Sequence, residues 1–381
     1  MRRTATSAVV ALLVLSPLVG CGDRADAFGT TAVGRCNAQI AVFGPLTGAS
    51  ANLGRNLEDG ARLAVDQYDA VHPDCRVGMV DFDSQGDPKQ AAGLAQQLVA
   101  QPRILGVVGP AFSGEADAAV PLLNQGRVTS ITPSATETSL SAHGWSTFHR
   151  LIGSEAVQGP AAGRYLATVL KARKVFVIDD GSEYGHGLAT EVMNVLGERV
   201  VESGTVLAGQ DDFATIVSHI KAAGPDAIFF GGYYDEAGLL LRQVRAAGVT
   251  ATFVAGDGVK DDGFLTRAGL NAAQNAIITC PCRPPETLPA TFTWAYRAAF
   301  GGLEPGTDSA EAYDAATVLL RGIGSRHLSR TSLAAYVRSY DQPGITTTIR
   351  FTATGELVGS SVTVWTYRVR GDAIVADRPI P

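Results

Sequence analysis

Short apolar runs alternate along the chain with longer segments in which apolar residues recur every three or four positions. The first run covers residues 40–43 and ends at Gly44 and Pro45. Leu57, Ala61 and Ala64 then follow at the spacing of one helix face. A short apolar run closed by turn residues predicts a buried strand, and the wider repeat predicts an amphipathic helix. The pattern therefore begins with a strand and a helix, the repeating unit of an α/β fold.

The alternation continues in two series, and the end of the chain departs from it. The predicted strands are 40–43, 76–82, 104–108 and 128–131 in the first series and 174–178, 200–207, 227–230 and 252–254 in the second. The predicted helices are 57–68, 87–100, 113–124, 156–170, 184–196, 213–222, 236–247, 291–300, 310–322 and 332–340, and two last strands follow at 361–369 and 373–377. Strand–helix alternation is typical of parallel sheets with helices on both faces. We therefore predict an α/β fold with two doubly wound parallel sheets.

Length and composition agree with two globular domains. The chain has 381 residues, of which 46% are hydrophobic and 18% charged, so it is too apolar to be disordered. Its net charge is −6, and it contains no run of Lys and Arg. Because nucleic acids attract clustered positive charge, we expect no nucleic-acid partner.

The first residues have the layout of an export signal. Arg2 and Arg3 precede an apolar stretch at 8–15, which is too short to span a bilayer, and small residues lead to Cys21. This arrangement resembles a lipoprotein signal peptide over 1–20, with lipidation of Cys21 after cleavage. An ordinary secretory signal with a chance cysteine is the alternative. Residues 21–35 are small and polar, which predicts a flexible tether to the outer face of the cell membrane.

The remaining cysteines are expected to lie in an oxidising compartment. Cys36 and Cys75 each stand just before a predicted strand. If the two strands are parallel neighbours, the cysteines are close enough for a disulfide. Cys280 and Cys282 form either a local bridge or two free thiols. We predict no metal site, because the six histidines are scattered.

Sequence motifs of enzymes are missing. No G-x-G-x-x-G follows a strand, and the P-loop, H-E-x-x-H and G-x-S-x-G patterns do not occur. Adjacent carboxylates such as Asp179–Asp180 and Asp261–Asp262 are expected to be solvated helix caps. We therefore predict no catalytic residues, no cofactor and no enzymatic activity, although many active sites carry no readable motif.

Hydroxyl side chains gather after the strands of the first series. Ser113, Ser134 and Thr136 follow the third and fourth strands, and Ser113 begins a predicted helix. Ligands of open parallel sheets bind at the carboxyl ends of the strands, and helix N-termini favour anions. These residues therefore suit a carboxylate, although a serine at a helix start is more often only a cap.

The corresponding loops of the second series differ in chemistry. They contain Tyr184, Tyr233 and the carboxylate Asp257, which suit a cation and apolar bulk. Gly-Asp-Gly around Asp257 is also a common turn. An anion site on one half and a cation site on the other predict a zwitterionic ligand held between them.

At these residues the chain resembles the leucine/isoleucine/valine-binding protein family, the solute receptors of ABC importers with the type I periplasmic binding fold. The resemblance is collinear from about residue 38 to 260, and its stretches are IAVFGPLTG, DSQGDPKQA, VVGPAFSGE, ITPSATET, QGPAAGRYL, DDGSEYGHGL, IFFGGYYDEAGLLLRQVRAAG and GDGV. The tail matches more weakly. The resemblance implies two lobes joined by a three-segment hinge, with lobe one at 36–152 plus 282–358 and lobe two at 153–281 plus 359–381.

The resemblance also implies roles for single residues. Ser113, Ser134 and Thr136 would hold the α-carboxylate of an amino acid. Tyr233 and Asp257 would hold its α-ammonium, and Tyr184 would line the site from the second lobe. Two further wall positions are implied: Leu53 stands where an aromatic residue is common in the family, and Phe112 would set the pocket size.

The implied function is that of an extracytoplasmic lipoprotein that captures an amino acid, of branched-chain or other apolar type, for an ABC permease. We expect a monomer whose partners are the amino acid, the permease and, through its lipid, the membrane. Two alternatives remain open: a sensory receptor on the same fold that signals to a partner, and an exported enzyme.

Overall fold

The computed structural model describes residues 36–358 and 362–380. The predicted signal peptide, the lipidation site at Cys21 and the predicted tether lie outside the described residues. Among the residues that are described, no helix is both long and apolar enough to cross a bilayer.

Strands and helices alternate through most of this region. Its strands are β1 (Ala38–Gly44), β2 (Val77–Asp83), β3 (Ile104–Val108), β4 (Thr129–Thr132), β5 (Phe148–Arg150), β6 (Val175–Asp179), β7 (Val200–Thr205), β8 (Ala227–Gly231), β9 (Thr252–Ala255), β10 (Ile277–Cys280), β11 (Asp341–Pro343), β12 (Thr348–Arg350), β13 (Trp365–Arg370) and β14 (Ala373–Pro379). Its α-helices are α1 (Ala51–Val71), α2 (Pro88–Val99), α3 (Ser113–Gln125), α4 (Glu155–Arg164), α5 (Glu183–Leu196), α6 (Ala214–Ala223), α7 (Tyr234–Ala246), α8 (Asp262–Ala268), α9 (Leu270–Ala273), α10 (Ala290–Ala299), α11 (Ser309–Gly324) and α12 (Arg330–Arg338).

The strands form two main sheets. In the described part of the chain, the first sheet has the order β2-β1-β3-β4-β5 and is parallel throughout. The second has the order β14-β13-β10-β9-β8-β6-β7, in which β13 is antiparallel to both β10 and β14 and the other pairs are parallel. Strand β1 lies inside the first sheet and β6 inside the second, and later strands are added on both sides of each. This is the doubly wound arrangement that the sequence pattern predicts.

Local sequence explains where several elements begin. The side chain of Asp87 accepts a hydrogen bond from the Lys89 amide (2.9 Å), and Pro88 takes the first helical position of α2. This capping residue and the proline after it are the signals that predicted the helix. Gly60 lets α1 approach α11 closely, because a Cβ there would lie 2.0 Å from the Ser309 carbonyl oxygen.

The register of the first sheet brings two cysteines together. Ala38 of β1 is opposite Val77 of β2, so Cys36 and Cys75 leave neighbouring strands at the same end. Their Cα atoms are 4.8 Å apart, and their sulfur atoms are within bonding distance. The sulfur atoms of Cys280 and Cys282 are also within bonding distance, at the end of β10.

The structure also contains elements that the sequence pattern did not predict. Strand β5 has the sequence Phe-His-Arg, which lacks an apolar run, although all three residues are buried. Strand β10 and helices α8 and α9 were likewise not predicted. The predicted helix at 156–170 ends as an α-helix at Arg164 and continues as one π-helical turn, Tyr165–Val169.

Candidate functional site

A narrow cavity, with room for about one water molecule (about 20 Å³), lies where the carboxyl ends of the two sheets meet. Its walls come from the loops after β3, β4, β6, β8 and β9 and from α1 and the start of α11. The lining residues are Leu53, Leu57, Ala111, Phe112, Ser113, Ser134, Tyr184, Tyr233, Asp257, Gly258, Thr307 and Asp308. Seven of the eight predicted ligand-binding residues are in this set, and Thr136 is not.

On the side of the first sheet, the cavity wall carries serine hydroxyls beside a helix N-terminus. Ser113 is the first residue of α3, and its Oγ accepts a hydrogen bond from the Glu137 amide (3.2 Å). Ser134 Oγ donates to the carbonyl oxygen of Ala111 (2.7 Å). The first amides of a helix have no partner within the helix, so this wall offers N–H groups and the Ser113 O–H to an anion.

Glu115 lies behind this wall and holds it in position through hydrogen bonds. Its carboxylate accepts hydrogen bonds from Ser84 Oγ (2.5 Å) and from the Phe112 amide (3.1 Å). The side chain is fully buried, and burial raises its pKa to about 7. Glu115 therefore holds the start of α3 in place and is not itself part of the cavity wall.

Thr136 is buried behind the cavity wall. Its hydroxyl donates to Oε1 of Glu155 (3.2 Å), the first residue of α4. Burial, and next the charge of Glu137, raise the pKa of the Glu155 carboxyl to about 9. A ligand contact for Thr136 stays a prediction, and its observed role is to tie the loop after β4 to α4.

Arg150 supports the same loop and was not predicted from the sequence. Its guanidinium, which is fully buried, donates to the carbonyl oxygens of Ala135 (3.2 Å) and Glu137 (2.6 Å). It also forms a bidentate ion pair with Glu356, in which Nε of Arg150 lies 3.1 Å from Oε2 of Glu356. Paired hydrogen bonds of this kind are the strong form of an Arg–carboxylate contact.

On the side of the second sheet, the wall carries one buried carboxylate, Asp257. Oδ1 of Asp257 accepts a hydrogen bond from the Tyr184 hydroxyl (2.9 Å), whose oxygen accepts from the Gly258 amide (3.1 Å). Burial raises the pKa of Asp257. Glycine is favoured at 258, because a Cβ there would lie 2.7 Å from the carbonyl oxygen of Gly232.

Aromatic rings connect the two sides. The rings of Phe112 and Tyr233 stack with 4.2 Å between their centroids, and Tyr184 lies 5.3 Å from Tyr233. The Tyr233 amide donates to Oδ2 of Asp180 (3.2 Å). Asp180 is buried, and burial raises its pKa to about 6, so the expectation of a solvated cap at this position was wrong.

Polar contacts around the cavity also cross from one sheet unit to the other. Asn52 of α1 donates to Oδ1 of Asp261 (2.8 Å), and the Tyr234 hydroxyl donates to the carbonyl oxygen of Ala49 (2.7 Å). These contacts bring the carboxyl ends of the two sheets together around the cavity.

Several wall residues were not predicted as site residues. Leu57 lies one helical turn beyond Leu53 on α1, so helical spacing could have indicated it. Thr307 and Asp308 follow an irregular glycine-rich stretch in the weakly matching tail, where no strand end marks a site. Their approach to the cavity depends on the packing of α11.

The fold and the cavity together define a class of protein. Two doubly wound α/β lobes enclose a small cavity at their carboxyl ends, with amides and hydroxyls after the strands of one sheet and the carboxylate of Asp257 after a strand of the other. This is the type I periplasmic binding protein fold. The chain belongs to the periplasmic binding protein family, whose family model matches residues 37–372.

Individual relatives agree with this assignment. A Pseudomonas aeruginosa leucine-, isoleucine-, valine-, threonine- and alanine-binding protein is 32% identical over 86% of this chain and 89% of that protein. An amino acid binding protein of the same organism is 34% identical over 70% of this chain and 72% of its own length. The branched-chain amino acid transporter substrate binding protein of Streptococcus pneumoniae, solved with isoleucine, superposes with a TM-score of 0.82 at 28% identity, covering 90% of this chain and 99% of that one.

Proposed function

We propose that the chain captures an amino acid in the cavity between its two sheets and presents it to the permease of an ABC importer. The observation that carries this proposal is that Ser113 and Asp257, which follow strands of different sheets, line one cavity. A zwitterion is the kind of small molecule that satisfies both walls at once.

The α-carboxylate of the ligand would lie against Ser113 and Ser134. The α3 N-terminus contributes partial positive charge and unpaired amides, and the Ser113 hydroxyl, whose oxygen accepts from the Glu137 amide, adds a donor. Glu115 and Arg150 keep these groups in position through the contacts described above. Such preorganisation reduces the entropy lost on binding.

The α-ammonium would lie against Asp257. A buried carboxylate is costly without a compensating charge, and an ammonium supplies both charge and hydrogen-bond donors. The Tyr184 hydroxyl donates a hydrogen bond to Oδ1 of Asp257 and so fixes the orientation of the carboxylate. Tyr233 would cover the ammonium with its ring.

The apolar part of the cavity wall supports a ligand with an apolar side chain. Leu53, Leu57, Ala111 and Phe112 surround the space next to the polar groups. The Pseudomonas aeruginosa relative is named for binding leucine, isoleucine, valine, threonine and alanine, whose side chains are all no larger than that of leucine. We therefore propose an amino acid no larger than the branched-chain ones, which is returned chemically unchanged.

Ligand binding would stabilise the closed arrangement of two lobes, at 36–152 plus 282–358 and at 153–281 plus 359–381. Two features of the sheets support these boundaries. The last strand of the first sheet ends at Arg150, and β13 and β14, near the end of the chain, belong to the second sheet. A ligand that contacts both lobes binds the closed state better and shifts the population towards it.

Export and membrane anchoring complete the proposal. The signal-like residues 1–20 and Cys21 support a lipoprotein on the outer face of the cell membrane. The pairing of Cys36 with Cys75 and of Cys280 with Cys282 supports an oxidising compartment, in which disulfides persist.

A thermal-shift screen followed by calorimetry tests this function. The purified chain from residue 36 onward is mixed with each standard amino acid and with benzoate as an acid that has no amine. We expect at least one of alanine, valine, leucine, isoleucine, threonine and asparagine to raise the melting temperature and to bind with a Kd on the order of 1 μM, about −8 kcal/mol. Failure of every amino acid, or a bound ligand recovered in altered form, would contradict the proposal.

A further inference from the structure

A second carboxylate, Asp308, lines the cavity, and the roles assigned so far do not use it. It immediately precedes α11 and adopts a left-handed backbone conformation with φ of 62°. The side chain is 6% exposed. No donor within residues 36–358 and 362–380 forms a hydrogen bond with its Oδ1.

The buried ammonium of Lys260 attracts the Asp308 carboxylate but donates no hydrogen bond to its Oδ1. The nearby Lys260 ammonium donates to Thr307 Oγ1 (3.3 Å) and lies 4.6 Å from the centre of the Tyr367 ring. Burial, and next the negative charges of Glu311 and Asp257, raise the pKa of Asp308 well above its ordinary value. A buried acceptor without a donor costs free energy, so a group that supplies one is favoured strongly there.

A metal ion is the first candidate partner that the neighbours suggest. The sulfur atoms of Cys280 and Cys282 and a carboxylate oxygen of Asp308 lie within 4.8 Å of one another. The two sulfur atoms, however, are within bonding distance of each other. A disulfide has no thiolate to offer, and thiolate is the form that ligates metals. The ligand in the cavity is therefore the better partner.

We propose that Asp308 accepts a hydrogen bond from the side chain of the bound amino acid. This inference rests on the proposed function, in which Asp257 takes the α-ammonium and leaves Asp308 for a second donor. The ligand would have a short apolar stem against Leu53 and Leu57 and would end in a hydroxyl or amide. It would be a polar amino acid of branched-chain size, in place of the purely apolar one that the sequence resemblance favours.

Isosteric ligand pairs separate this proposal from simple size selection. Valine and threonine have nearly the same shape, as do leucine and asparagine, but only threonine and asparagine can donate. We expect the wild-type protein to bind threonine about tenfold or more tightly than valine, and asparagine about tenfold or more tightly than leucine, as measured by calorimetry.

Two substitutions make the test specific to Asp308. Glycine and asparagine both tolerate the left-handed conformation, so D308G and D308N should fold. D308G removes the acceptor and should bring both affinity ratios to one or below. D308N keeps an amide oxygen and should retain part of the preference. Alanine, whose side chain carries no donor, is the reference ligand: in both variants the affinities for threonine and asparagine should fall by a larger factor than the affinity for alanine.

Two outcomes would overturn the proposal while leaving amino-acid capture intact. The first is wild-type protein that binds valine and leucine as tightly as threonine and asparagine. The second is a D308G variant that loses affinity equally for alanine, valine and threonine, which would place the α-ammonium at Asp308. Failure of all amino acids to bind would refute the proposed function itself, and this inference with it.

Discussion

The Phe112 ring stacks on the Tyr233 ring with 4.2 Å between their centroids and 26° between their planes. Phe112 follows β3 of the first sheet, and Tyr233 follows β8 of the second. Both residues line the cavity, so this contact joins the two lobes beside the place where a ligand would lie. Opening the cavity requires the two rings to separate.

We expect F112L to release ligand about two to ten times faster than wild type, because a stacked aromatic pair contributes about 0.5–1.5 kcal/mol. A stopped-flow chase with excess amino acid measures the dissociation rate. The matched control is W294L, since Trp294 is 66% exposed and does not line the cavity. Equal dissociation rates for F112L and wild type would show that the stack does not restrain opening.

Asp257 should carry more of the affinity than Ser113. D257N keeps an oxygen for the Tyr184 hydroxyl but loses the charge, and we expect amino-acid affinity to fall about 10- to 100-fold. S113A should lose less, because the amides of α3 remain. Calorimetry on both variants measures the difference, with D262N as a control at an exposed carboxylate. A larger loss for S113A than for D257N would contradict the assignment.

Arg150 should contribute to stability and to binding together. In R150M the carbonyl oxygens of Ala135 and Glu137 and the carboxylate of Glu356 lose their partner, so we expect a loss of about 3–5 kcal/mol in the free energy of unfolding. R150K keeps the positive charge but lacks the planar guanidinium that donates to several acceptors at once. Its free energy of unfolding should therefore fall less than that of R150M. Urea unfolding measures both. Amino-acid affinity should fall in parallel, because Arg150 fixes the loop that carries Ser134, and unchanged stability of R150M would refute this role.

Glu155 should make stability depend on pH. Its folded-state pKa is raised to about 9 from an ordinary value of 4.5. Between these values the folded protein binds more protons than the unfolded one, so the free energy of unfolding falls as pH rises. The contribution of one such group is at most about 1.4 kcal/mol per pH unit.

Urea unfolding at pH 5, 6, 7 and 8 measures this dependence. E155Q carries no titrating proton and should lose stability less steeply than wild type over this range. Glu115 and Asp180 also have raised pKa values and contribute in the same direction in both proteins, so the difference between the two slopes isolates Glu155. Parallel curves would show that Glu155 is not held protonated by the fold.

Local pattern predicted the regular elements well. Strand β3 has the bounds that its apolar run predicted, and α2 begins at the predicted proline. Strand β5 was missed because Phe148, His149 and Arg150 have no apolar periodicity, and their burial depends on neighbours distant in sequence. Its Arg150 is satisfied by Glu356, 206 residues further along the chain.

The sequence predicted some, but not all, of the residues that line the cavity. Leu53, Phe112, Ser113, Ser134, Tyr184, Tyr233 and Asp257 all line it. Most of these follow strands, so the rule that ligands bind at carboxyl ends of parallel sheets located them. Asp308 enters the cavity from the start of α11, a placement set by helix packing against α1. No local pattern in the sequence marks such a placement.

In the proposed function, opposite walls of the cavity hold the carboxylate and the ammonium of one ligand. The most direct test is calorimetry with the tightest-binding amino acid, with its primary amide and with the same acid carrying hydrogen in place of the amino group. We predict that each derivative binds at least about 100-fold more weakly than the parent, since each leaves one wall without its charged partner. A deaminated acid that binds as tightly as the amino acid would contradict the account.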